Sequence, residues 1–384
     1  MPKKALIIGG GAAGSCAAIE MSKKENWETL LVEKGPQLGA GVWTNLMSGH
    51  PYTYGPRHFL THNEQTFDYL NKIVPMRRCA EHQFLSYVEN DANFYNYPIH
   101  EDDIKIMPDN KIINEEIDKL DQKYKDAKFE LREGNKDLEN IANNYEEFWV
   151  NSVGKTLYNK YIENYTKKMW QTSDNTIIDD FTWSPKGVAI KKGPREGWDS
   201  AISAYPISKF GYNEFFIKAE KSVKCLKNTE VGHVSNDLTT SINGEKLKFD
   251  IVINTTPIDH LANYCYGKLK YIGRDITFLI LPVEFALPKD VYFTYYTGSE
   301  KYTRIVEYKK FTQHKSPHTL ISLEYPSERG RLYPMPTKKE KSKAKKYFDI
   351  YGDNFYSIGR IGAFNYRYDI DDAIEQAINV TKNL

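Results

Sequence analysis

Ala5-Leu6-Ile7-Ile8-Gly9-Gly10-Gly11-Ala12-Ala13-Gly14 is the stretch that decides the fold. Four apolar residues of strand type run into glycines spaced G-x-G-x-x-G, and a helix-forming stretch from Ser15 to Ser22 follows. Gly9 permits a tight turn, Gly11 lets the backbone approach a pyrophosphate, and Gly14 lets the helix pack on the strand with its N-terminus toward the phosphates. A second strand, Thr29 to Val32, ends in Glu33, where an acid would meet a ribose hydroxyl. Together these predict an α/β dinucleotide-binding domain with Gly9, Gly11, Ala12, Ala13, Gly14 and Glu33 at the cofactor; the alternative is a structural Gly-rich turn.

The fingerprint serves NAD and FAD alike. Three features favour FAD. Glu33 is followed by Lys34 and a second glycine-bearing loop, Leu38-Gly39-Ala40-Gly41, placed to meet the flavin end. Near the other terminus, Asn354 to Arg360 reads as a strand entering a Gly359-Arg360 turn, with a helix from about Asp371 to Asn383. Such a return to the nucleotide domain is common in flavoproteins. The alternative for Arg360 is a surface ion pair.

Composition bounds the rest. The 384 residues exceed what one core supports, so two or three domains are expected. Lys and Arg number 52 against 51 Asp and Glu, which argues against nucleic acid or an anionic membrane as partner but leaves room for a local cationic pocket. Cys16, Cys79, Cys225 and Cys265 lie far apart, so neither a disulfide scaffold nor a metal site is expected, and a reducing cytoplasm fits. The most apolar run, Ile276 to Leu287, is too short to span a bilayer and contains Pro282 and Glu284, so it reads as one or two strands. Lys3 and Lys4 before an apolar stretch superficially suggest a signal peptide, which the glycine motif overturns.

The expected architecture is an FAD-binding Rossmann-like domain carrying an inserted helical bundle and an antiparallel β-sheet domain. The FAD-binding domain takes residues 1–85, 221–270 and 331–384. Sheet segments take 86–103 and 271–330, and the bundle takes 104–178, with a stripe of Val153, Leu157, Tyr158, Tyr161, Ile162, Tyr165 and Met169 at helical spacing. Residues 179–220 form a mobile loop with a further sheet segment, punctuated by Pro185, Gly187, Gly193, Pro194, Gly197 and Pro206. The lysines from Lys338 to Lys346 read as a solvated helix face.

Seven segments, in order, resemble the bacterial flavin-dependent UDP-galactopyranose mutases. Tyr54-Gly55-Pro56-Arg57-His58-Phe59 resembles the loop Y-G-(A/P)-H-x-F under the flavin. Asn164-Tyr165-Thr166-Lys167-Lys168-Met169-Trp170 resembles G-Y-T-x-K-x-W, which receives uridine and substrate. Asn254-Thr255-Thr256-Pro257-Ile258-Asp259 resembles Y-T-G-P-I-D, and Tyr302-Thr303-Arg304-Ile305-Val306-Glu307 resembles Y-T-R-I-x-E. Leu323-Glu324-Tyr325-Pro326 resembles K-E-Y-P, Leu332-Tyr333-Pro334 resembles Y-Y-P, and Gly359-Arg360 the flavin-binding G-R.

The resemblance implies an isomerase in which reduced FAD is a nucleophile rather than a net electron carrier. Its N5 attacks the anomeric carbon, UDP leaves, and the sugar opens, recloses as a furanose and regains UDP. The implied product is a furanose donor for cell-surface polysaccharide, made by a cytoplasmic homodimer from UDP-galactopyranose or a variant such as UDP-N-acetylgalactosamine. Arg304 and Tyr333 would hold the diphosphate, Tyr165 would stack on uracil, and Thr166 and Trp170 would line the pocket. Without the resemblance, Tyr165 and Trp170 would be part of a core stripe and Arg304 an outward charge. Glu324 matches a family carboxylate, with a cross-strand ion pair as the alternative.

Several positions depart from the family. Its histidine under the flavin is Arg57 here, with His58 one step along; Arg57 could contact a sugar substituent or complement flavin charge, or reflect drift in flavin packing. The mobile-loop arginine is absent: aligning Pro185 puts Trp183 or Ser184 in its place, and Lys186, Lys191, Lys192 or Arg195 could deliver a cation instead. Tyr366-Arg367-Tyr368-Asp369 resembles Y-K-Y-x-D imperfectly, so Tyr368 is assigned to phosphate with Tyr366 as alternative, and Asp369 to substrate. His100 stands where the family has Asn in P-(F/I)-N. These changes leave open a different nucleotide sugar, arabinopyranose or a heptose, and an FAD-dependent oxidoreductase on the same scaffold remains the reading from another class.

Overall fold

The computed structural model describes residues 2–79, 81–126, 142–181, 183–184, 189–198 and 201–384. Its first layer is a five-stranded sheet in the order Lys224–Leu226, Trp27–Val32, Lys3–Ile8, Ile251–Asn254, Phe355–Ser357, with every neighbouring pair parallel. Numbered along the chain, that order is 3-2-1-4-5, five strands of the doubly wound dinucleotide-binding order 3-2-1-4-5-6. Ala5 and Ile7 pack with the helices Ala12–Met21, Asn213–Ser222 and Ile370–Lys382, while Leu6 and Ile8 join a second cluster with Leu261 and Tyr347. All four are at most 3% exposed, because both faces of a parallel sheet are covered; the opening run is therefore uniformly apolar rather than alternating.

The second layer is a seven-stranded sheet: Tyr333–Pro334, Tyr271–Leu281, Thr319–Ser327, Arg304–Glu307, Val291–Tyr296, Gln83–Val88 and Asn93–Tyr97. Its neighbours are antiparallel except Val291–Tyr296 with Gln83–Val88, which run parallel. The antiparallel sheet expected from sequence is present, with one parallel join. A parallel neighbour needs a long crossover, and the chain between Val88 and Val291 supplies it.

That crossover contains the helices Glu101–Ile106, Asn110–Lys123, Tyr145–Val153, Lys155–Tyr158 and Asn164–Trp170. The expected stripe is there, with Val153, Leu157, Tyr158, Tyr161, Ile162 and Met169 buried in a core of their own, but it is not one helix. Gly154, at φ +90°, breaks it where an added Cβ would lie 2.5 Å from Glu116 Oε2, and Asn159–Glu163 forms a π turn. The buried Lys160 of that turn pairs with Asp91 and, at 2.8 Å, with Asp109.

The Pro- and Gly-rich stretch after Thr176 holds more structure than its composition suggests. Ile202–Pro206 is the middle strand of a small antiparallel sheet with Phe59–Thr61 and Met76–Arg78, and Tyr205 and Tyr212 are buried. Among the described residues, no helix is long and apolar enough to cross a membrane.

Candidate active site

The glycine turn behaves as its spacing predicts. Gly9 takes φ +93°, and a Cβ on it would fall 2.4 Å from Thr255 Oγ1; one on Gly14 would fall 1.9 Å from the Gly9 carbonyl oxygen. Around Gly11 the opposite holds: no atom lies within 4 Å of an added Cβ, and no side chain caps the helix Ala12–Met21 that begins there. The Glu33 carboxylate, at the end of the second strand, accepts from the Gly10 and Gly35 N–H groups at 2.7 and 2.6 Å. Open space over a glycine, an uncapped helix start and an acid at the strand end fit a bound dinucleotide.

The second loop is tied to this turn, the Gly39 N–H donating to the Gly10 carbonyl at 2.8 Å. Through Ala40 it leads to Gly41, where an added Cβ would lie 3.3 Å from Arg57 Nη2. Gly359, at φ +72°, lies against Ala13, so the Gly-Arg turn meets the same helix start. Lys34 is the exception: its side chain is 73% exposed and pairs with Glu230 at 2.8 Å, which turns it into solvent and away from the cofactor assigned to it.

Beyond Gly41 the structure gathers four arginines. Arg304 lies across from Glu324 on the neighbouring strand and donates to its Oε2 from Nη2 at 2.6 Å and Nε at 3.1 Å. A Cβ on Gly55 would lie 3.2 Å from Glu324 Oε1, 3.6 Å from Arg304 Nη2 and 3.9 Å from Arg57 Nη2, so the three side chains converge over that glycine. Arg274, buried on Tyr271–Leu281, stands 3.9 Å from Glu324 and 5.1 Å from the Tyr333 ring centre. Its Nε and Nη1, with Arg57 Nε and Glu324 Oε1, are buried without a hydrogen-bond partner. Arg360 lies 5.4 Å from the same ring, donates to the Tyr368 carbonyl at 2.7 Å and pairs with Asp369. Burial alone would push the Tyr333 phenol up, but Arg57, Arg274, Arg304 and Arg360 outweigh it and hold the group at about 8.

Beside this cluster opens a cavity of about 140 Å³ lined by Tyr97, Tyr145, Tyr161, Tyr165, Tyr295, Tyr366, Trp170, Trp183 and Trp198, with Ser86, Thr166, Ser184 and Thr297 as its hydroxyls and no charged side chain. Tyr165 meets Tyr295 edge-on at 5.4 Å, and Tyr366 meets Trp170, Trp183 and Tyr333 at 4.8, 4.6 and 5.8 Å. Met169, on the same wall, touches Arg274. The π turn directly before Asn164 helps bring Tyr161, Ile162, Tyr165 and Thr166 onto one wall.

Arg304, Arg57, Tyr333, Glu324, Tyr165, Thr166, Trp170 and Arg360 therefore come together. Others assigned from the sequence do not. His100 is 1% exposed, with Nε2 bonded to the Gly193 carbonyl at 2.9 Å and Nδ1 accepting from the Asp102 N–H at 3.2 Å, so both nitrogens are spent on backbone. Tyr366, not Tyr368, puts its ring in the site; Tyr368 contributes its carbonyl to Arg360. Asp369 pairs with Arg360 and caps the helix Ile370–Lys382 rather than facing the cavity. His58 packs among Phe311, His82 and Phe84. Of the substitute cations, Arg195 is paired with Asp103 at 2.8 Å, Lys191 is buried and donates to the Glu196 carbonyl, Lys192 is exposed, and Lys186 lies outside the described residues. Trp183 and Ser184 form wall, with Ser184 accepting from Trp149 Nε1 at 3.2 Å. Sequence reasoning missed Arg274, although its alternation with Ile272 puts it on that strand's inward face.

Fold and site together define a dinucleotide-binding α/β protein with four arginines gathered beside an aromatic cavity. A family model described as UDP-galactopyranose mutase matches residues 160–368, and one for an NAD(P)-binding Rossmann-like domain matches residues 7–73. The first covers more than half of the chain, which belongs to the UDP-galactopyranose mutase family, a family of isomerases. The chain is 23% identical to the dTDP-fucopyranose mutase of Escherichia coli, covering 98% of this chain and 96% of that protein. It is 21% identical to a probable UDP-galactopyranose mutase of Klebsiella pneumoniae, covering 98% and 93%. The crystal structure of a reduced UDP-galactopyranose mutase superimposes with a TM-score of 0.79 at 16% identity, covering 100% and 96%. A protoporphyrinogen oxidase structure from Exiguobacterium, described as putative, superimposes at 0.65 and 13%, a likeness of fold alone.

Proposed function

We propose that this chain is an FAD-dependent pyranose–furanose mutase acting on a pyrimidine nucleoside diphosphate sugar. The observation that carries the reading is the convergence of Arg57, Arg274, Arg304 and Arg360 on Tyr333 beside an uncharged aromatic cavity. Four guanidiniums against the two carboxylates bonded to them, Glu324 and Asp369, leave an excess of about two positive charges, which suits a diphosphate diester. The cavity suits a stacked pyrimidine held by hydroxyls, and Gly41 and Gly55 line the way from the cluster to the dinucleotide turn.

Gly9, Gly11, Gly14, Glu33, Gly39, Gly41 and Gly359 would hold the cofactor, and a reduced flavin so held supplies a nucleophilic nitrogen for the anomeric carbon. The chain's own residues do the rest. Arg304 and Arg274, fixed by Glu324, neutralise the diphosphate while its bond to the sugar is broken and keep it in place for return. Tyr165, Tyr366 and Trp170 orient the base, and the aromatic wall keeps water from the opened sugar. Arg57, longer than the family histidine and always charged, reaches toward the sugar and selects its substituents. The Escherichia coli relative is named for a dTDP sugar and the Klebsiella pneumoniae relative for a UDP sugar, so the substrate is a UDP- or dTDP-linked hexose. A cytoplasmic homodimer supplying furanose donors for polysaccharide completes the proposal.

The test is incubation of dithionite-reduced protein with UDP-galactose, UDP-N-acetylgalactosamine, UDP-arabinopyranose and dTDP-fucose, with the ring form read by NMR. A furanose from at least one is expected. Substrate-driven bleaching of the oxidised flavin with oxygen consumption would replace the mutase reading by an oxidase on the same scaffold.

A further inference from the structure

Tyr333 differs from every other tyrosine around the cavity. Arg274 and Arg360 lie 5.1 and 5.4 Å from its ring centre, and Arg57 and Arg304, which meet over Gly55, add their positive charge to its surroundings. The carboxylates facing the cluster are already engaged: Glu324 with Arg304, Asp369 with Arg360, and Asp372 in the cap of the last helix. The neighbouring phenols of Tyr165, Tyr295 and Tyr366 are all pushed up by burial, so they stay neutral. Of these groups Tyr333 is the one drawn toward neutral pH, between Arg274 and Arg360; Asp371, beside Asp369 and Asp372 in the last helix, titrates lower, at about 6.

We infer that Tyr333 is the proton-carrying residue of the anion site: in mildly alkaline solution it stands ionised among the four guanidiniums when no anion is bound, and takes a proton from solvent when a diphosphate binds. The inference rests on the diphosphate reading above. Two anions compete for one set of cations. Free of ligand, the guanidiniums pull the phenol down to about 8. Once they are spent on phosphate oxygens, the pull is gone and the opposing effect, burial, returns the phenol to its neutral form, in which it donates to the diphosphate. The sign follows from linkage. The bound state holds the extra proton, so binding is full below the free-state value and weakens as pH rises through it, by about tenfold per pH unit.

The experiment is titration calorimetry of the cofactor-loaded protein with UDP and with dTDP at about pH 8.5, above the phosphate's own titration, in two buffers of different ionisation enthalpy. Tyrosinate absorbance is followed in the same titrations. Uptake approaching one proton per nucleotide is expected, with tyrosinate absorbance falling in step, and Tyr333→Phe should abolish both. Arg57→Gln should move the onset of uptake to higher pH. Binding without proton uptake, or uptake unchanged in Tyr333→Phe, overturns the inference and leaves the mutase reading standing. If Tyr333→Phe does not fold, the absorbance of the unaltered protein decides: no fall on binding overturns it. Failure of both nucleotides to bind at any pH overturns the diphosphate reading and this inference with it.

Discussion

Arg304 and Glu324 face each other across two antiparallel strands, the guanidinium holding one carboxylate oxygen at 2.6 and 3.1 Å while the other carboxylate oxygen stays unpartnered. Glu324, 1% exposed, orients the fork, and Arg304 Nη2 and Arg57 Nη2 would lie 3.6 and 3.9 Å from a Cβ on Gly55. Arg304→Lys keeps the charge but loses the planar fork, so kcat/KM should fall by about a hundredfold or more with cofactor content unchanged. Turnover assays beside flavin absorbance check this; near wild-type turnover would remove Arg304 from the diphosphate.

Tyr366 and Tyr368 separate the structure's assignment from the sequence's. Tyr366→Ala removes a ring packed on Trp170, Trp183 and Tyr333 and should weaken nucleotide binding about tenfold or more. Tyr368→Ala keeps the carbonyl that Arg360 uses, so binding should change by less than about threefold. Calorimetry with UDP on both variants decides it, and the reverse ranking would restore Tyr368.

The two glycines of the turn should fail differently. Gly14→Ala drives a methyl into the Gly9 carbonyl and should destabilise the nucleotide domain by several kcal/mol, on the order of overpacking costs. Gly11→Ala meets open space, so the fold should keep its stability to within about 1 kcal/mol while the cofactor, which needs that space, is lost. Thermal melts with flavin content distinguish the outcomes; full flavin in Gly11→Ala would contradict the placement.

Asp371, in the first turn of the last helix, is pushed up to about 6, chiefly by burial and further by Asp372 and Asp369. A raised carboxyl favours the fold in its protonated form, so its contribution is full below about pH 4 and is lost as pH rises through about 6. Asp371→Asn should be more stable than the parent by about 1–2 kcal/mol at pH 7.5, with the gap closing toward pH 4. Urea melts at both ends of that range would show it, and a constant gap would mean the carboxyl is not strained.

Much of this was legible because physics forces particular residues. Both faces of the strand Lys3–Ile8 are covered, so its apolar run is continuous, and Gly9, Gly10 and Gly14 are positions where a Cβ would collide. What stayed hidden depends on contacts far apart in the chain. One arginine in a strand reads as an outward charge; alternation with Ile272 puts Arg274 on the inward face, but its partners Tyr333 and Glu324 lie far along the chain. Tyr366 and Tyr368 lie outside any helix or strand, so no periodicity tells which ring turns inward. Likewise Ile202–Pro206 is a strand because Phe59–Thr61 and Met76–Arg78 flank it, against its own Pro- and Gly-rich context.

The central claim is that the arginine cluster holds a diphosphate while its bond to the sugar is broken and remade. Positional isotope exchange tests it most directly, with a nucleotide sugar carrying oxygen-18 in the bridge between sugar and diphosphate. In reduced protein the label should scramble into the non-bridging β-phosphate oxygens as furanose forms, and it should stay in the bridge when the protein is oxidised. Furanose formed with the label still in the bridge would contradict the account.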